Sequence, residues 1–202
     1  MTRKVIFATG NENKLKEIRM IMADMDVEVV SMKEAGCFVD VEETGTTFEE
    51  NAILKAKAIA LKSGMITLAD DSGLEIDYLN KEPGIYSARY MGEDTPYTIK
   101  NAELLKRMKD APDGKRAARF VCAIAMVRPD GTHEVVRATM EGTVAYEAIG
   151  ENGFGYDPIL YLPEYGCTSA ELSLEEKNAI SHRGKGLRMI KEVLTKELTC
   201  AE

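Results

Sequence analysis

Two adjacent carboxylates, Asp70 and Asp71, follow directly on the apolar run Met65-Ile66-Thr67-Leu68-Ala69. The run has the length and composition of a buried strand, and like charges this close at its end repel and resist burial. A hard divalent cation relieves that cost, because such ions take carboxylate oxygens. An acidic turn closed by Ser72-Gly73 is the plainer alternative. A second acidic pair, Glu42-Glu43, precedes Thr44-Gly45. With Asp70-Asp71 it could complete an oxygen shell for Mg²⁺, which keeps several of its waters. Acidic loops are otherwise simply solvated.

Three further segments carry polar groups in patterns that suit a nucleotide. Thr9-Gly10-Asn11-Glu12-Asn13-Lys14 joins a strand signal to a helix signal. A helix N-terminus offers unpaired amides and a positive dipole end, which suit phosphate, and Lys14 adds a point charge. The spacing is not that of a Walker A loop. In Gly153-Phe154-Gly155-Tyr156-Asp157-Pro158, glycines flank an aromatic ring and leave room for a flat ligand to stack. Asp157 could accept from a ring N–H there; a Gly-rich turn with both aromatics buried explains the same residues. Lys177 and Ser181-His182-Arg183 place cations at the start of a helix, where the dipole disfavours them, and so suggest an anionic or electron-rich partner. Lys55 shares a polar helix face with Glu50 and Asn51 and gains meaning only if that face meets the same cleft.

These segments need a scaffold of alternating strands and helices. Strand signals cover 4–9 and 27–30, with a helix over 14–23 between them. Thr47-Phe48-Glu49-Glu50 fits a capping box opening a helix to Ser63, which Gly64 ends. A strand then runs from Met65 to the Asp70-Asp71 junction, and a separate half-exposed one covers 74–78. A helix spans 97–109, two long strands span 118–127 and 134–144, and a short strand spans 158–162. Ser173-Leu174-Glu175-Glu176 is a second capping box, and Ser181 precedes a last helix to about Leu198. Early alternation and a later strand pair point to an α/β fold with a mixed central sheet flanked by helices. No repeat or linker divides the chain, so 1–202 is expected to be a single domain, elongated, with two lobes around a cleft.

The chain has 202 residues, 45% hydrophobic and 30% charged, with a net charge of −8. No basic stripe is present, which argues against a nucleic-acid backbone reader. No stretch is long enough to span a bilayer, and the basic-then-apolar N-terminus is too short for a signal peptide. A cytoplasmic location is the default expectation. Cys37, Cys122, Cys167 and Cys200 have neither zinc-ligand nor dithiol spacing and are expected to be reduced.

Six motifs in order resemble the inosine triphosphate pyrophosphatase family, the Ham1-like or RdgB-type enzymes. They are Thr9–Lys14, Glu42–Ala52, Ala69–Leu74, Pro83–Tyr90, Gly153–Pro158 and Glu175–Gly184. Only Ala148-Ile149, before the Gly-rich loop, looks atypical. The resemblance implies a hydrolase that splits non-canonical purine nucleoside triphosphates (ITP, dITP, XTP) between the α and β phosphorus atoms. The products are a monophosphate and pyrophosphate, and the role is cleansing of the nucleotide pool. It implies an elongated two-lobed fold, a homodimer and Mg²⁺, with Mn²⁺ possible. Asp71 is then the base that activates water and a metal ligand, with Glu42 or Glu43 as the second acid; spacing from Gly45 favours Glu42. Lys14 and Lys55 would hold phosphates, and Thr9, Gly10, Asn11, Glu12, Asn13 and Ser72 would also contact the substrate. Asp70 would face away, since strand side chains alternate. Phe154 would stack on the purine within Gly155-Tyr156, Asp157 and Lys177 would complete a polar ring, and donors from His182 or Arg183 would favour a C6 oxygen over the adenine amino group. A pyrophosphatase of other base preference and a non-catalytic nucleotide-binding module are the alternatives.

Overall fold

Thr47 and Gly64 bound the first long helix as their types dictate. In the computed structural model, which describes residues 3–199, the Thr47 side chain accepts from the Glu50 N–H and Gly64 closes the helix in a left-handed conformation. The Glu50 carboxylate accepts chiefly from the N–H and hydroxyl of Thr46, with the Thr47 N–H a weaker partner. Ser173 and Glu176 make both arms of their capping box.

The elements run β1 (Arg3–Phe7), α1 (Glu12–Ile21), β2 (Val27–Ser31), α2 (Phe48–Ser63) and β3 (Thr67–Ile76). Then come α3 (Tyr97–Arg107), β4 (Ala117–Val127), β5 (His133–Val144), β6 (Leu160–Leu162), β7 (Cys167–Thr168), α4 (Leu174–Ile180) and α5 (His182–Thr199). One sheet holds all seven strands in the order β2-β1-β3-β4-β5-β6-β7. β1 is parallel to β2, with Val5 opposite Val29, and to β3, with Phe7 opposite Leu68. β6 is antiparallel to both β5 and β7. The sheet is therefore mixed, as expected.

The expected break at Asp70-Asp71 is not there. Thr67–Ile76 is one strand, with both aspartates buried inside it, and no separate strand covers 74–78. Two long-range causes override the local turn signal. Each carboxylate meets a lysine from a distant helix. At Gly73, a Cβ would lie 2.4 Å from Ser87 Oγ and 2.5 Å from Gly84 O. Ser87 Oγ accepts from the Leu74 N–H at 2.9 Å and donates to Gly84 O, so the 84–87 segment seats on the strand where only glycine fits. α1 begins two residues earlier than expected, with Asn11 Oδ1 accepting from the Lys14 N–H. The strand expected over 158–162 shortens to β6, because Asp157–Ile159 forms a single helical turn.

Two compact units partition the chain. The first comprises Met1–Asp71, Cys122–Ala138 and Gly184–Glu202; the second comprises Ser72–Val121 and Thr139–Arg183. The core of the first joins Val5, Phe7 and Leu68 to Leu15 and Ile18 of α1 and Leu187 and Ile190 of α5. That of the second gathers Leu74, Ile76, Leu104, Met108, Phe120 and Tyr156. Cys37 and Cys167 are free thiols, Cys122 is buried, and Cys200 lies outside the described residues. No described helix is long and apolar enough to cross a membrane.

Candidate active site

Asp70 and Asp71 meet different helices, as alternation along β3 requires. In the first unit, Lys14 Nζ of α1 donates to Asp70 Oδ2 at 2.7 Å. On α2, Asn51 Nδ2 donates to Asp71 Oδ2 at 3.1 Å, and Lys55 Nζ reaches Asp71 Oδ1 at 3.4 Å. Lys55 Nζ also donates to Glu43 Oε1 at 2.7 Å. Asp70, expected to face away from the chemistry, is thus the partner of a phosphate-binding candidate. Glu43 joins the group, whereas Glu42 is exposed and its carbonyl accepts from the Thr44 N–H. Of the two candidate acids, Glu43 is the one placed beside Lys55.

Asn51 went unassigned in the sequence. It is fully buried, and its Oδ1 accepts from the Gly45 N–H at 2.8 Å while its amide holds Asp71. One side chain thereby ties the acidic loop to the strand. Its position one turn before Lys55 on the same helix face was the available signal.

The charges in this group do not cancel: Glu43, Asp70 and Asp71 stand against Lys14 and Lys55. Burial pushes the Asp71 carboxyl up, and Glu43 and Asp70 add to this against the pull of Lys55 and Asn51. Burial alone would lower the Lys55 ammonium; Asp71, Asp70 and Glu43 outweigh it and raise its pKa. Burial thus favours the protonated form of Asp71, while the neighbouring acids favour the charged form of Lys55.

At the turn before α1, Thr9 Oγ1 accepts from the Asn11 N–H, and Gly10, Asn11 and Glu12 are exposed. The Asn13 side chain lies outside what is described. Among the described residues, no three His, Cys, Asp or Glu side chains are gathered as a metal cage.

The second unit holds the aromatic loop. Phe154 is half exposed, with Lys177 Nζ 5.3 Å and the Arg183 guanidinium carbon 5.6 Å from its ring centroid. Such cations draw on the ring's negative face. Arg183 Nη2 also lies 3.4 Å from Ser72 Oγ. His182 is buried, its ring stacked on Phe120 at 5.0 Å between centroids. Tyr156 is buried too: its hydroxyl donates to Ser87 O and its ring meets Tyr97 edge-on, so it serves the core. Asp157, expected to accept from a ligand, is only 2% exposed. Its Oδ2 accepts from the Phe154 N–H and from Lys177 Nζ, and its Oδ1 from Ser169 Oγ. The structure therefore collects Phe154, Lys177, Arg183 and Ser72 together, and turns Asp157 and Tyr156 inward.

The Ham1 family profile matches residues 5–193. The chain belongs to the Ham1 family. Its Ham1 relatives include the dITP/XTP pyrophosphatase of Desulforamulus reducens, 47% identical over 193 residues and covering 96% of each chain. That of Escherichia coli O157:H7 is 46% identical over 195 residues, 95% of this chain and 98% of that one. Among solved structures, the HAM1 protein of Coxiella burnetii matches with a TM-score of 0.91 at 40% identity, over 96% of this chain and 99% of that one.

Proposed function

We propose that this Ham1 chain hydrolyses the non-canonical purine nucleoside triphosphates ITP, dITP and XTP between the α and β phosphorus atoms. Water adds across the phosphoanhydride, releasing the nucleoside monophosphate and pyrophosphate. The single observation that carries the reading is the group Lys14–Asp70 and Asp71–Lys55–Glu43, in a chain whose relatives are named dITP/XTP pyrophosphatases.

Asp71 takes the water's proton in this scheme. Asn51 fixes the carboxylate's orientation through one oxygen. Lys14 and Lys55 bind phosphate oxygens, with the amides at the start of α1 adding to Lys14. A hard divalent cation, Mg²⁺ or Mn²⁺, suits the excess of carboxylates over ammonium groups. Asp71 and Glu43 would hold it, with waters and phosphate oxygens completing a shell that the protein alone does not. When bound, the ion neutralises phosphate charge and orients the triphosphate.

For the base, Phe154 stacks on the purine plane between Lys177 and Arg183. Arg183 supplies a donor that matches a C6 oxygen and leaves adenine's amino group opposed to another donor. The same reading carries a cytoplasmic homodimer acting as one domain over 1–202. The test is a comparison of kcat/KM for ITP, XTP, ATP, GTP and CTP with Mg²⁺. Pyrophosphate from ITP and XTP at rates at least about a hundredfold above ATP supports it, on the scale of discrimination that buried polar mismatches reach. Equal turnover of all five, or turnover of CTP alone, overturns it.

A further inference from the structure

Phe154 sits between Gly153 and Gly155, both at positive φ (77° and 70°). A ring held between two such residues has no local stiffness, because glycine leaves both flanking peptides free to swing. Its placement depends on ties from outside the loop. One set comes from the chain just beyond it: Asp157 Oδ2 accepts from the Phe154 N–H at 2.8 Å, and Ser169 and Lys177 hold Asp157. Another comes from α3. Asn101 Nδ2 donates to the Gly155 carbonyl at 3.1 Å, and the Tyr97 ring, one turn earlier on that helix, packs 3.6 Å from where a Gly155 Cβ would be.

The Asn101 tie costs stability. The residue is 4% exposed, and bonding Gly155 O through its amide nitrogen leaves Oδ1 buried without a hydrogen-bond partner. A leucine of similar shape would remove the unpaired Oδ1, at the expense of leaving Gly155 O without its donor. An asparagine here thus does something that packing does not require.

We propose that Asn101 is a positioning residue for base selection: by holding the Gly155 carbonyl it anchors the Gly155–Tyr156 peptide at the downstream end of the loop, limits how far Phe154 can swing, and so sets the plane on which the purine stacks. The inference rests on Phe154 being the stacking surface. Asn101 touches no substrate in this scheme and acts only through the loop.

A double-mutant cycle tests it. Asn101→Leu is expected to lower kcat/KM for ITP about tenfold, chiefly through KM, as befits one lost hydrogen bond. It should narrow the ITP-to-ATP ratio while leaving the melting temperature close to the parent's, because the relief of Oδ1 and the loss of the Gly155 bond offset each other. In a Phe154→Ala background the same substitution should change ITP kcat/KM by less than about twofold, because the ring it positions is gone. Asn101→Ala, which removes the donor without adding bulk, should repeat the Asn101→Leu effect and serves if the latter fails to fold. An unchanged ITP-to-ATP ratio in both variants overturns the proposal, as does an equal loss in the Phe154→Ala background. If Phe154→Ala itself leaves ITP turnover intact, the stacking assignment fails, and that outcome is separate from a failure of Asn101 alone.

Discussion

Lys14→Met isolates the buried charge that lets β3 run unbroken through two aspartates. The Asp70 side chain is 1% exposed and that of Lys14 is 20% exposed, with 2.7 Å between their charged atoms. Removing one partner of a fully buried pair costs roughly 3–5 kcal/mol, since the other is left as an uncompensated charge. Here the charge of Lys55 remains nearby and water reaches the Lys14 end, so the expected cost is about 2–3 kcal/mol. For a chain of this length that corresponds to a fall in melting temperature of about 5–10 °C. The reverse change, Asp70→Asn, leaves a lysine whose long stem can carry its ammonium to solvent, and should cost only about 1 kcal/mol. Lys14→Met/Asp70→Asn should recover most of the loss of Lys14→Met. Thermal and urea unfolding of the four proteins measure this directly. Equal losses in the two single variants, or strict additivity in the double, would refute a buried pair whose aspartate cannot escape.

Asp71→Asn should abolish ITP turnover while making the fold more stable at pH 7. Burial raises the Asp71 carboxyl above its unfolded value, so its contribution to stability is greatest below about pH 4 and is lost as pH rises through the folded pKa; an amide avoids that loss. A melting temperature below the parent's at pH 7 would contradict it. Asp77 behaves oppositely: hydrogen bonds from Arg119 and Lys81 hold its carboxyl well below the usual range, so it contributes stability above about pH 4 that is lost on acidification. Its side chain is 37% exposed, which limits the contribution to about 1 kcal/mol or less. Arg119→Met should flatten the fall in urea midpoint between pH 5 and pH 3, and an unchanged fall would count against the pair.

Local chemistry made part of this molecule legible. Thr47 and Gly64 bounded α2, and Ser173 with Glu176 opened α4, because a cap depends on residues within one turn. The Asp70-Asp71 junction misled for the opposite reason. Turn residues predict a strand end, yet Lys14 and Lys55, 56 and 16 residues away in sequence, make burial tolerable and let the strand continue. Glu43, not Glu42, reaches Lys55, something spacing from Gly45 does not encode. Asp157 had the chemistry of a ligand acceptor, but the fold spends both of its oxygens on Phe154, Lys177 and Ser169. Asn101 gave no signal at all, being a polar residue mid-helix whose partner lies 54 positions on.

The bond that breaks is the central claim, and phosphorus NMR of ITP turnover with Mg²⁺ reads it directly. Inosine monophosphate and pyrophosphate, with no orthophosphate formed in step with substrate loss, is the expected product pair. Inosine diphosphate with orthophosphate would contradict it.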